Sequence, residues 1–66
     1  MELIVNGERR TLPEPVRISE FLAMHGLNPK MVVVEHNRAI VPRDRYEDVL
    51  LQSGDELEIV QMMAGG

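Results

Sequence analysis

Gly65 and Gly66 follow Met62-Met63-Ala64 with no charged side chain after Gln61, and they are the residues of this chain best suited by type and place to a reaction. Residues without side chains can enter a narrow channel and let main chain approach a phosphate closely. An extended terminal carboxylate is also a handle that main-chain donors can capture. A carboxylate is a poor acyl donor because its oxygen leaves badly. ATP can convert it to an acyl-adenylate, dividing one hard step into two easier ones. Sulfur transfer to that adenylate yields a thiocarboxylate, whose ionised, polarisable sulfur is a nucleophile. Glycine is about 7% of average composition, so a terminal pair arises by chance in about 0.5% of chains. The pair therefore identifies nothing until the elements that carry it are known.

The other reactive side chains form no constellation. His25 falls on the apolar face of a helical stretch, the place of a partly buried or a boundary residue. His36 follows Glu35 in a strand-like run, so their side chains point to opposite faces. Their spacing matches no zinc motif, and no Ser/His/Asp grouping can be assembled. Glu47, Asp48, Asp55, Glu56 and Glu58 can steer a basic partner surface, or simply be solvated. The chain is thus expected to be no enzyme but a protein co-substrate, with no metal or cofactor of its own. If the tail reacts, the carboxylate of Gly66 is the group in place to be modified, and Gly65 and Ala64 are small enough to thread into a partner. Val60, Met62 and Met63 are expected to form a small apolar docking patch at the root of the tail.

Length and composition set the frame. The 66 residues, with net charge −4 and no cysteine, allow one small domain without a disulfide framework. One Phe, one Tyr and no Trp, on an acidic chain, do not suit a nucleic-acid module. No stretch approaches the roughly 20 apolar residues of a membrane span. Met1 leads directly into a strand-like pattern without a charged leader and apolar signal region, so a cytoplasmic protein is expected.

Along the chain, Glu2-Leu3-Ile4-Val5 and Asn6-Gly7 open a hairpin, because Asn-Gly suits a type I′ turn. Met1, Leu3 and Val5 would share its inner face, and Glu8 to Leu12 forms the returning strand, ended by Pro13 and Pro15. Ile18, Phe21, Leu22 and His25 mark an amphipathic helix over Ile18 to His25, with Ser19 or Arg17 at its cap. Gly26 is a left-handed stop, and Asn28-Pro29 blocks extension. Met31 to His36 reads as a buried strand, Asn37-Arg38 as a turn, and Ala39-Ile40-Val41 as a short strand ended by Pro42. Arg43 to Leu51 is ambiguous, with Tyr46, Val49 and Leu50 spaced for a helical turn on the core. Ser53-Gly54-Asp55 turns into a last strand, Glu56 to Gln61, in which Leu57 and Ile59 alternate with Glu56 and Glu58. The first and last strands can lie parallel at the centre of one mixed sheet packed around one helix. This is an α+β, β-grasp arrangement, with residues 1–61 as the domain and 62–66 as a flexible tail.

The segment Val34-Glu35-His36-Asn37-Arg38-Ala39-Ile40-Val41-Pro42-Arg43, then Tyr46, then Gly54-Asp55-Glu56-Leu57-Glu58-Ile59-Val60-Gln61 and the terminal Gly-Gly, resembles the ThiS family of sulfur carriers. The resemblance extends over nearly the whole chain, including the Leu-Ile-Val-Asn-Gly opening. It implies a ubiquitin-like β-grasp fold and adenylation of Gly66 by a ThiF-type enzyme using ATP and magnesium. It further implies sulfur drawn from cysteine through a desulfurase, and delivery of that sulfur to thiazole synthase, ThiG, in thiamine biosynthesis. A MoaD-like small subunit of molybdopterin synthase shares fold and tail, although MoaD-like chains often carry proline before the glycines, where this one has Gln61-Met62-Met63-Ala64. Carriers of other pathways would look similar. A ubiquitin-type modifier begins with the same chemistry, but Lys30 is the only lysine on which chains could be built. The absence of cysteine excludes an iron–sulfur module of the usual kind.

Overall fold

The computed structural model describes residues 1–62; Met63 to Gly66 lie outside the described residues. Five strands form one mixed sheet in the order β2-β1-β5-β3-β4. They span Glu2–Val5 (β1), Glu8–Thr11 (β2), Val32–His36 (β3), Ala39–Val41 (β4) and Glu56–Gln61 (β5). Among the described residues there is one α-helix, α1, over Ile18–Met24. The first strand lies parallel to the last, Ile4 opposite Glu56 and Val5 opposite Leu57. The other pairings are antiparallel. This is the β-grasp arrangement read from the sequence.

Leu3 and Val5 point inward from β1 and Met1 is half-buried, as their alternation requires. Leu12 lies just past β2 but stays in register. Its N–H donates to Met1 O at 2.8 Å, and the Met1 amino group donates to Leu12 O at 2.9 Å. The core fills the space between one face of the sheet and α1, with Ile18, Phe21 and Leu22 of the helix packed among Leu3, Val34 and Leu57. β3 begins at Val32, because Met31 belongs to a one-turn 3-10 helix, Pro29–Met31, capped by Asn28.

α1 starts with Arg17 at the cap, not Ser19. The Glu20 carboxylate accepts from Arg17 N–H at 2.8 Å, half of a capping box; a guanidinium has no acceptor to complete it. The unpaired N–H groups of the first turn go elsewhere: Ile18 N–H to Val49 O and Ser19 N–H to Tyr46 O, both at 3.0 Å. The segment Arg43 to Leu51, ambiguous in the sequence, is therefore a strap across the helix start. It opens as a 3-10 turn, Arg43–Arg45, and ends extended, with an antiparallel bridge between Arg17 and Leu50. That ending corrects one expectation. In extended chain alternate side chains face opposite ways, so Leu50 is 43% exposed and Leu51 is fully buried in its stead. Tyr46 is buried as expected, its hydroxyl donating to Val32 O.

Both hairpin turns use left-handed residue pairs, Asn6 (φ 50°) with Gly7 (φ 80°), and Asn37 (φ 50°) with Arg38 (φ 72°). For a residue other than glycine, the left-handed region costs about 1–2 kcal/mol. Glycine at position 38 would remove that strain while losing about 0.5–1 kcal/mol of chain entropy. Arg38→Gly is therefore expected to stabilise the fold by about 0.5 kcal/mol, a rise in Tm of roughly 2–4 °C. A thermal melt checks this; a lower Tm would mean that the Arg38 side chain contributes more than its backbone strain costs.

Candidate functional site

The root of the C-terminal segment is the end of β5. Its main-chain groups alternate between two flanks. Asn37 N–H donates to Glu56 O at 2.9 Å and Met62 N–H donates to Met31 O at 2.7 Å, so the even-numbered residues of β5 face β3. The odd-numbered residues face β1. There Asn6 N–H donates to Leu57 O at 2.8 Å, and Asn6 Oδ1 accepts from Ile59 N–H at 2.7 Å while Asn6 Nδ2 donates to Ile59 O at 3.2 Å. The asparagine amide thus stands in for one residue of strand after β1 has turned away. Sequence reasoning assigned Asn6 to the turn alone and missed this second use. Met62, given to the tail from the sequence, is still tied to Met31.

The expected docking residues divide. Val60 and Met62 are 60% and 42% exposed. Val60 stands opposite Val33, itself 38% exposed, on the sheet face turned away from α1. Glu58 and Glu35 pair beside them. The structure therefore places an acid-flanked apolar strip next to the root. Met63, Ala64, Gly65 and Gly66 lie outside the described residues. On the opposite face, a groove of about 280 Å³ runs between the end of α1 and the sheet, with Phe21, Leu27 and Ile59 lining it beside Arg10 and His25.

The histidines sit apart, and neither belongs to the root as a reactive pair. His25 is exposed rather than partly buried, because the helix ends there and its ring leaves the core. It still packs on Phe21, ring centroids 4.4 Å apart, with Nδ1 3.0 Å from Phe21 O. His36 Nε2 lies 2.7 Å from Asp55 Oδ2, a contact across 19 residues that nothing in the sequence announced. The same carboxylate accepts from Gln52 N–H at 2.9 Å and Asn37 Nδ2 at 3.3 Å. Glu56 N–H in turn donates to Asn37 Oδ1 at 2.9 Å. This clasp ties the β3–β4 turn to the start of β5, about 20 Å of strand away from the root. Its bonds join His36 and Asn37 to Gln52, Asp55 and Glu56, so it holds these parts of the fold together. Among the described residues, no group of His, Cys, Asp or Glu could hold a metal ion, and no helix is long and apolar enough to cross a membrane.

Burial is the largest single influence on the Asp55 carboxyl and pushes its pKa up. The hydrogen bonds from His36, Gln52 N–H and Asn37, with the charge of His36, outweigh it and hold Asp55 below its ordinary 3.8. A depressed carboxyl stabilises the fold above its unfolded pKa, and that contribution disappears as the pH falls through the folded value. Asp55→Asn is expected to cost about 1–3 kcal/mol at neutral pH, with the gap from the wild type closing in acid. Denaturant midpoints at neutral and acid pH measure both; a gap unchanged by pH would contradict a stabilising Asp55 carboxylate.

Comparison with known proteins adds what the geometry alone does not carry. The profile of the ThiS family matches residues 3–66. A thiazole synthase of Paramagnetospirillum magneticum is 38% identical over 66 residues, all of this chain and 20% of that protein. One from Magnetococcus marinus is 35% identical over the same 66 residues, again 20% of the protein. The chain thus spans about a fifth of the length of these relatives. The sulfur carrier protein ThiS of Bacillus subtilis is 41% identical over 49 residues, 74% of each chain. The crystal structure of the thiamine biosynthesis protein ThiS from Geobacter metallireducens superposes with a TM-score of 0.86 at 29% identity, covering 100% of both chains.

Proposed function

The chain belongs to the ThiS family, and on that premise we propose that it is a sulfur carrier for thiazole formation in thiamine biosynthesis, working through the carboxylate of Gly66. The observation that carries this reading is a family match that runs through residue 66 and so includes the glycine pair. It is supported by a fold in which β5, anchored on both flanks, leads directly into that stretch.

The chemistry begins with a ThiF-type enzyme, ATP and magnesium. A carboxylate oxygen of Gly66 attacks the α-phosphorus, pyrophosphate leaves, and an acyl-adenylate forms. A sulfur nucleophile, supplied from cysteine through a desulfurase, then attacks the acyl carbon, and AMP leaves with the bridging oxygen. If the sulfur arrives as a persulfide, a further thiol breaks the S–S bond to release the thiocarboxylate. That sulfur is the nucleophile that thiazole synthase, ThiG, incorporates into the ring. The chain itself is a co-substrate, consumed and regenerated, in the cytoplasm. Gly65 and Ala64 thread toward the activating site, where absent or small side chains allow close approach to phosphate.

ATP–pyrophosphate exchange by the ThiF-type enzyme tests this. The full chain should support exchange, and deletion of Gly65-Gly66 should abolish it while leaving the melting temperature unchanged. Exchange that survives the deletion would contradict the reading, and a large loss of stability would assign the glycines to the fold.

Val60, Met62 and Met63 form the docking patch in this reading. Val60→Glu should weaken binding of the activating enzyme while changing stability by no more than about 0.5 kcal/mol. Binding constants equal to the wild type would remove Val60 from the interface.

A further inference from the structure

The flank of β5 that faces β1 is not closed along its whole length. Leu57 and Ile59 are satisfied there by Asn6, main chain and side chain respectively. β1 ends at Val5 and the chain turns back at Asn6-Gly7, so among the described residues no strand stands opposite Gln61 on that side. Opposite Val32, Gln61 falls at a non-hydrogen-bonded position of the β3 ladder, no side chain among the described residues bonds its main chain, and the residue is exposed. The parity of the ladder aims both groups at this gap. Such an edge is a template for an added strand.

The gap borders the groove at the end of α1, which Gln61 itself helps to line. Phe21, Leu27 and Ile59 give that groove an apolar share of its lining, and Arg10 and His25 line it with them. Arg10 has no ion pair among the described residues, where the pairs are His36–Asp55 and Arg45–Asp48. Glu8 lies on the same face of β2, two residues away and opposite Val5, yet is not within ion-pair distance of Arg10. On a chain of net charge −4, the groove is thus a place where a cation is unmatched.

We propose that the open edge and the groove together receive an extended, acidic segment of the sulfur-accepting thiazole synthase. The segment adds as a short strand against Gln61, lays an apolar side chain on Phe21, Leu27 and Ile59, and brings a carboxylate to Arg10. Main-chain pairing supplies affinity in this mode, and the pockets supply selectivity. A second copy paired edge to edge about a two-fold axis would bring another Arg10 to the same place rather than a carboxylate, so in that arrangement charge favours a different protein. The proposal rests on the sulfur-carrier reading for its partner, and on the edge and groove for its site. By gripping Gln61, the synthase would fix the direction in which the chain leaves β5.

Two substitutions separate the components. Gln61→Pro removes only the N–H that faces the gap, because the β3 flank is bonded through Val60 and Met62. Proline is tolerated where its missing N–H would face solvent, and extended Val60 suits the position before it. Arg10→Glu reverses the charge of the groove. Binding of purified thiazole synthase is measured by titration calorimetry, with the melting temperature and sedimentation of each chain alone. Gln61→Pro should weaken binding about three- to tenfold, and Arg10→Glu at least about tenfold, both chains remaining folded monomers. In the wild type, the Gln61 amide should gain protection from hydrogen exchange when the synthase is added, a readout that stands even if a variant fails to fold. Wild-type affinity in both variants, no added protection at Gln61, no binding of the synthase, or a wild-type dimer lost in Gln61→Pro would each overturn the proposal. Mass analysis of Gly66 reports separately on the carrier reading. Its failure, with binding still lost in the variants, would leave the interface standing and remove only the sulfur chemistry.

Discussion

β5 is held from both sides, by the antiparallel β3 and by the parallel β1, and this double anchoring is what the rest of the molecule depends on. The parallel pair joins the beginning of the chain to its last strand, so the intervening helix, hairpin and strap are enclosed by one closure. β1 supplies only the register pairs Ile4–Glu56 and Val5–Leu57, and the Asn6 amide adds the next step. At the other end of β5, the His36–Asp55–Asn37 clasp fixes where the strand begins. In a chain of 66 residues without a disulfide, such local polar fixtures supplement a core that cannot be large.

Much of the fold was legible because local chemistry and the global arrangement agree. Asn6-Gly7 forces a hairpin, Gly26 stops the helix, and the alternation Glu56-Leu57-Glu58-Ile59 marks a half-buried strand; each keeps that role in the structure. The strap was not legible. Tyr46, Val49 and Leu50 fit a helical period, but the bridge to Arg17 extends the chain and turns Leu51 inward. His36 and Asp55 meet only because β3 and β5 pair in one register, which no window of sequence reveals. Asn6 is a subtler case, since its turn function is sufficient to explain its presence and conceals the bonds to Ile59. For the site, type and position pointed to the glycine pair, and the family match includes it, although residues 63–66 lie outside the described part.

The sheet offers two unlike surfaces on either side of the same root. One face carries Val33 and Val60 with Glu35 and Glu58 beside them; the other holds a groove with Arg10 and His25. On the proposed reading, the chain is recognised first by an enzyme that activates it and later by one that takes its sulfur. Surfaces of opposite electrostatic character let partners be told apart by charge as well as shape. The His36–Asp55 clasp lies at the far end of β5, so the fold is secured away from the place where partners would grip.

Top-down mass spectrometry of the chain after incubation with its activating enzyme, ATP and a sulfur donor tests most directly whether Gly66 carries the sulfur. The expected result is replacement of one oxygen by sulfur, with fragment ions confining the change to Gly66. An unchanged mass in the presence of a demonstrably active enzyme, or a change mapped elsewhere in the chain, would contradict it.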